Sequence, residues 1–99
     1  MLIHCLTITF KKSATADDVA AFREALAALP DQVGVPMQTR QGPDLGERAN
    51  NADYAVVSEF RSPADFYTYL QHPAHQALPI DLVESVSGVQ FLVDEASRM

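Results

Sequence analysis

The sequence predicts an α+β fold of the ferredoxin-like kind, β-α-β-β-α-β, a four-stranded antiparallel sheet with its helices on one face. Three observations support this. Side chains alternate apolar and polar in short stretches at residues 2–11, 53–60 and 85–95, with a weaker stretch at 33–42. Apolar residues follow helical spacing at 15–30 and 62–72. The two kinds of stretch occur in the order this fold requires, and a chain of 99 residues leaves room for one core, read here as a single domain over 1–99.

The opening LIHCLTITFK places Leu2, His4, Leu6, Ile8 and Phe10 on one face and Ile3, Cys5, Thr7 and Thr9 on the other. In TADDVAAFREALAALP, Thr15 and Asp18 form a capping-box pattern, and Asp17 and Asp18 suit the positive end of a helix. Val19, Phe22, Leu26 and Leu29 make its apolar stripe, and Pro30 is expected to end it. VGVPMQTRQG reads as a weaker strand, with Pro36 at its start or on a sheet edge. GPDLGERANN reads as a mobile loop that could pivot at Gly42 and Gly46.

DYAVVSEF reads as a central strand with Tyr54, Val56, Ser58 and Phe60 on one face. In SPADFYTYLQH, Ser62 is a cap, Pro63 fits the first helical position, and Phe66, Tyr69 and Leu70 mark the inner side. PAHQALPIDLVE suits a short helix or two turns interrupted at Pro79. SVSGVQFLVDE is the last strand, with Val89, Phe91 and Val93 alternating, before a polar tail. The sheet face away from the helices would then carry Ile3, Cys5, Ala55, Val57 and Leu92. That apolar set predicts a homodimer in which two sheets meet.

Composition narrows the function. Thirteen acidic against seven basic residues give a net charge of −6, which disfavours nucleic acid and anionic membranes as partners. A single cysteine excludes an internal disulfide framework and suits a reducing, cytoplasmic setting. The apolar start lacks a cationic leader, and no apolar run reaches membrane-spanning length.

The stretch YLQHPAH, 69 to 75, carries the candidate chemistry. In one unbroken helix Tyr69 and His75 would point well over a right angle apart. Pro73 breaks the helix and can open a new one, with His72 as cap and His75 in its first turn. The chain then turns so that His75 faces the space in front of Tyr69. The positive end of a helix favours neutral imidazole, which can act as a general base near neutral pH. Tyr69 could hold a substrate carbonyl or an enolate, and His4 would lie on the floor of the same pocket. The bland reading makes His4 a hydrogen-bonded core residue, His72 a structural cap, and Tyr69 half-buried packing. A metal site from His4, His72 and His75 lacks the carboxylates or cysteines that would complete it, so neither metal nor cofactor is expected.

The early strand with His4, the helix ending in ALP, the strand AVVSEF and the sequence YLQHPAHQAL together resemble the stress-responsive A/B barrel (Dabb) family across nearly the whole chain. The resemblance implies a ferredoxin-like domain that pairs into a dimeric α+β barrel. A plant member similar across the same motif closes a linear polyketide thioester into an aromatic acid without a cofactor. Carried over, His75 would abstract an acidic proton between carbonyls and Tyr69 would steady the substrate. His4, Phe22, Leu26, Tyr54, Val56 and His72 would serve as substrate-binding residues. Tyr54 stands where that member has a histidine, Leu26 and Ala27 replace larger pocket side chains, and the loop GPDLGERANN differs, so another substrate is implied. A small apolar or β-dicarbonyl ligand suits this lining. Three other readings are a non-catalytic binding or stress-response module, a cofactor-free monooxygenase, and structural association without a pocket.

Overall fold

A computed structural model describes residues 1–93. Its elements are β1 (Leu2–Phe10), α1 (Ala16–Val33), β2 (Met37–Pro43), β3 (Tyr54–Phe60), α2 (Pro63–Gln71), α3 (Pro73–Gln76) and β4 (Val83–Leu92). The four strands form one antiparallel sheet in the order β2-β3-β1-β4. This is the ferredoxin-like arrangement. The polar tail expected after the last strand, together with Asp94 and Glu95, lies outside the described residues.

The apolar stripes meet between the helices and the sheet. Leu2, Ile8, Tyr54, Val56 and Phe60 from the strands pack with Phe22, Leu26, Leu29 and Val33 of α1 and Phe66 and Tyr69 of α2. Burying side chains of this size from water is the main stabilising contribution to such a core. Local signals agree with the packing. The Thr15 hydroxyl accepts from the Asp18 amide at 3.1 Å while the Asp18 carboxylate accepts from the Thr15 amide at 2.9 Å, the reciprocal box expected from the sequence. Ser62 caps α2, its hydroxyl accepting from the Asp65 amide at 3.3 Å.

Three sequence expectations need correction. Pro30 does not end α1; the helix runs one turn further to Val33 and closes on Gly34, at φ 77°, whose amide donates to the Pro30 carbonyl. The ring removes one helical hydrogen bond, and burial of Leu29 and Val33 on either side compensates. Gly42 is no loop pivot, because it pairs with Ala55 inside β2. The loop that follows is fastened: Asp44 accepts from the Gly46 amide and the Asn51 side chain, and the Asp53 amide donates to the Ile8 carbonyl.

The third correction concerns the last strand. Leu92 pairs with Leu2, and Phe91 pairs with Ile3, so Leu92 is on the helix side while Val89 and Phe91 are on the open side. The expected alternation is therefore turned over by one residue. Neither face of β4 is covered by a helix, so its apolar pattern carries no signal of which side is inward. From Glu84 to Leu92 every residue is exposed. The open face consequently presents Ile3, Cys5, Val57, Val89 and Phe91 in adjacent rows.

Candidate active site

Between the sheet and the three helices lies a cavity of about 510 Å³. Its floor is His4, Leu6 and Ile8 of β1 with Val56 of β3, and its walls include Phe22, Leu26, Tyr69, Leu70 and His75. Leu78, Ile80, Val83 and Val86 complete the rim. Apart from His4, Tyr69, His75 and Gln76, the lining is apolar, and it contains no lysine, arginine or carboxylate.

The helix break builds the reactive corner. His72 has extended backbone, φ −67° and ψ 137°, and its Nδ1 accepts from the Ala74 amide at 3.0 Å. The short turn α3 then brings His75 back over α2. The rings of Tyr69 and His75 stand with centroids 4.6 Å apart at 57°. Burial pushes the Tyr69 hydroxyl up to about 12, so it is a neutral donor across the working pH range. Burial also lowers the His75 pKa, and the nearby Leu70 backbone opposes this. In its neutral form the His75 imidazole carries one proton and keeps its other ring nitrogen free as a base.

His4 is buried among aromatic and polar neighbours. Its ring tilts against Phe66 at 4.8 Å, and its Nδ1 is 2.8 Å from the Gln90 side-chain nitrogen. Desolvation, followed by the charge of His75, lowers its pKa. The buried imidazole of His4 and the half-buried one of His75 are thus both biased towards their neutral forms.

The residues singled out in the sequence do not all meet here. His4, Phe22, Leu26, Val56, Tyr69 and His75 line the cavity. His72 does not; its ring is occupied in capping α3. Tyr54 shares the inward face of β3 but lies beyond the cavity, packed near Phe10 and Phe22, and its hydroxyl donates to Gln41 Oε1 at 2.8 Å. A ligand in the cavity would therefore not reach either side chain directly. Gln90 was not anticipated, because a glutamine on an exposed strand has no motif; only the register that sets it opposite His4 reveals it. Among the described residues, no group of three or more His, Cys, Asp or Glu side chains is arranged to hold a metal ion, and no helix is long and apolar enough to cross a membrane.

A ferredoxin-like sheet with a cavity beneath its helices defines a class shared by many small α+β proteins. Within it, residues 2–95 match the stress responsive A/B barrel domain, and the chain belongs to that family. No curated protein matches the sequence. Among solved structures, a dimeric ferredoxin-like protein of unknown function from Thermobifida fusca is 29% identical, with a TM-score of 0.82 over 93% of this chain and 90% of that one. The hydroxynitrile lyase of Passiflora edulis is 20% identical, with a TM-score of 0.84 over 95% of this chain and 94% of its own. An Arabidopsis thaliana protein gives the same TM-score at 19% identity, over 96% and 97% of the two chains. The latter two show a shared fold.

Proposed function

We propose that this protein is a homodimeric, cofactor-free lyase or cyclase acting on a small, largely apolar carbonyl compound. The observation that carries the reading is the pairing of Tyr69 and His75 on the wall of an otherwise apolar 510 Å³ cavity. In this reading the unprotonated nitrogen of His75 takes a proton from carbon between two carbonyl groups. The electron pair moves onto a carbonyl oxygen, where the Tyr69 hydroxyl donates a hydrogen bond to the enolate. In a substrate with a further carbonyl along its chain, the enolate carbon can then attack that carbonyl, forming a carbon–carbon bond, and the imidazolium gives the proton to the new alkoxide. Run backwards, the same steps cleave such a bond. The lyase name of the Passiflora edulis relative is consistent with this class of chemistry.

The lining supports a neutral substrate, since no cationic side chain is available there to pair with a carboxylate or phosphate. The homodimer is proposed from the apolar open sheet face and from the dimeric state of the Thermobifida fusca protein. Incubating alkyl and aryl 1,3-diketones and β-ketothioesters with the protein in D2O tests the reading. Deuteration above the buffer rate, lost in His75→Ala, is expected. Full turnover by His75→Ala would overturn the assignment of the base.

A second reading follows from the same lining: a binding module that holds an apolar metabolite unchanged. Mass spectrometry of organic extracts from the purified protein separates the two. A retained, unaltered compound together with no deuteration of any probe favours binding alone.

A further inference from the structure

Gln90 is remote in sequence from every residue that lines the cavity floor except through the sheet. Antiparallel pairing sets it directly opposite His4, with both side chains on the helix side. Its amide nitrogen lies 2.8 Å from His4 Nδ1. An amide nitrogen donates and does not accept, so Nδ1 in this arrangement is the acceptor and the proton of neutral His4 sits on Nε2. Phe66, with its centroid 4.8 Å from that of His4, packs against the ring from the side of α2. Nε2 has no hydrogen-bond partner among the described residues, and no buried side-chain nitrogen or oxygen there is left unpaired. His4 lines the cavity, and its Nε2, unpaired yet not fully buried, keeps some accessible surface.

We propose that Gln90 is a positioning residue that holds His4 as an N–H donor towards the cavity, creating an oxygen-binding point separate from the Tyr69 hydroxyl. The cavity then offers two donors, His4 Nε2–H and Tyr69 O–H, and one acceptor, the free nitrogen of His75. A ligand matched to it carries an acceptor oxygen for each donor and one acidic C–H or O–H for the base, which is the pattern of a 1,3-dicarbonyl compound. This ligand match rests on the reading of the site given above; the tautomer of His4 does not.

The neighbouring residues on β4 make room for the arrangement. Gly88 lies two positions before Gln90 on the same side, and a Cβ there would come within 2.8 Å of Leu6 Cδ2 and 3.5 Å of the Gln90 amide nitrogen. Gln90 itself is on an exposed edge strand, so its replacement leaves the buried core intact.

Histidine 15N–1H long-range correlation spectra, recorded above the imidazole titration range, test the proposal, with the His4 signals assigned by their loss in His4→Asn. In the unaltered protein the His4 proton is expected on Nε2. Gln90→Glu replaces the donor with a carboxylate that can only accept, and is expected to move the proton to Nδ1. Binding of benzoylacetone should then weaken by about tenfold, the loss of roughly one net hydrogen bond, while binding of butylbenzene, which has no oxygen, stays unchanged. A His4 proton on Nδ1 in the unaltered protein, the same tautomer in both proteins, or equal weakening of the two probes would overturn it. Benzoylacetone that binds but is never deuterated counts instead against proton abstraction by His75.

Discussion

Tyr69 and His75 face each other at 4.6 Å because the helix stops between them and restarts at Pro73. His72 is the hinge of that arrangement. Its amide closes α2 on the Tyr69 carbonyl, and its imidazole opens α3 by accepting from Ala74. The two caps share one residue, so the turn has little freedom, and the position of His75 over Tyr69 follows from it.

The first prediction concerns pH. Burial lowers the pKa of both His4 and His75 below the ordinary 6.5. A group with a depressed folded pKa stays neutral in the folded chain while the unfolded chain takes up protons, so stability falls as pH drops below about 6.5 towards the folded values. Above that point neither group contributes a pH dependence. Urea midpoints measured down through this window should decline, and the decline should be shallower in the double variant His4→Gln, His75→Gln. An equal slope in both proteins would show that other groups cause it. By the same sign, His75 remains an available base at a pH where an exposed histidine is protonated.

Tyr69 separates packing from chemistry. Its ring packs on Phe60 with centroids 5.1 Å apart and is buried, while its hydroxyl has no protein partner among the described residues. Tyr69→Phe should therefore change stability by less than about 1 kcal/mol, yet lower turnover of a dicarbonyl probe. Tyr69→Ala should cost about 3 kcal/mol or more, because it leaves a void in the core. Chemical denaturation of the two variants alongside probe turnover checks both parts.

The sequence was most informative where one residue type has one use. Thr15 with Asp18, Ser62 with Pro63, and His72 with Pro73 all specify helix ends locally, and the structure shows each of them capping as expected. The inward faces of β1 and β3 were also legible, because the core covers one side of these central strands. β4 was not, since within one chain no helix covers either face to mark which side is inward. Pro30 misled because burial of Leu29 and Val33 outweighs one lost hydrogen bond. At the site, Tyr54 has the right face but the wrong end of its strand, and periodicity alone cannot tell those apart. Gln90 was invisible for a related reason: it matters through a pairing of residues 86 positions apart.

Gly88 abuts the cavity floor through Leu6. A methyl group there would press on Leu6 Cδ2 at 2.8 Å, and Leu6 is part of the lining. A Leu6 end displaced from residue 88 into the cavity it lines would narrow that space. Gly88→Ala should therefore alter stability modestly, by about 1 kcal/mol, and exclude the larger aryl probes while still admitting small alkyl ones. Titration of a size series of diketones against both proteins checks this. Unchanged discrimination would place the floor elsewhere.

The open sheet face yields the last prediction. Val57, Val89 and Phe91 are exposed to 37%, 58% and 49% on the same side as Ile3 and Cys5. Three large apolar side chains in neighbouring rows are costly to leave in water, and a second copy with the same face would cover them symmetrically. A carboxylate buried in such a contact would be unpaired, so Phe91→Glu should convert the protein to a monomer. Gln90 and His4 point to the opposite side of the sheet, so the His4 tautomer should persist in that monomer. Light scattering coupled to size-exclusion chromatography reads the first outcome, and the histidine spectra read the second. A Phe91→Glu protein that still elutes as a dimer would remove this face from the interface.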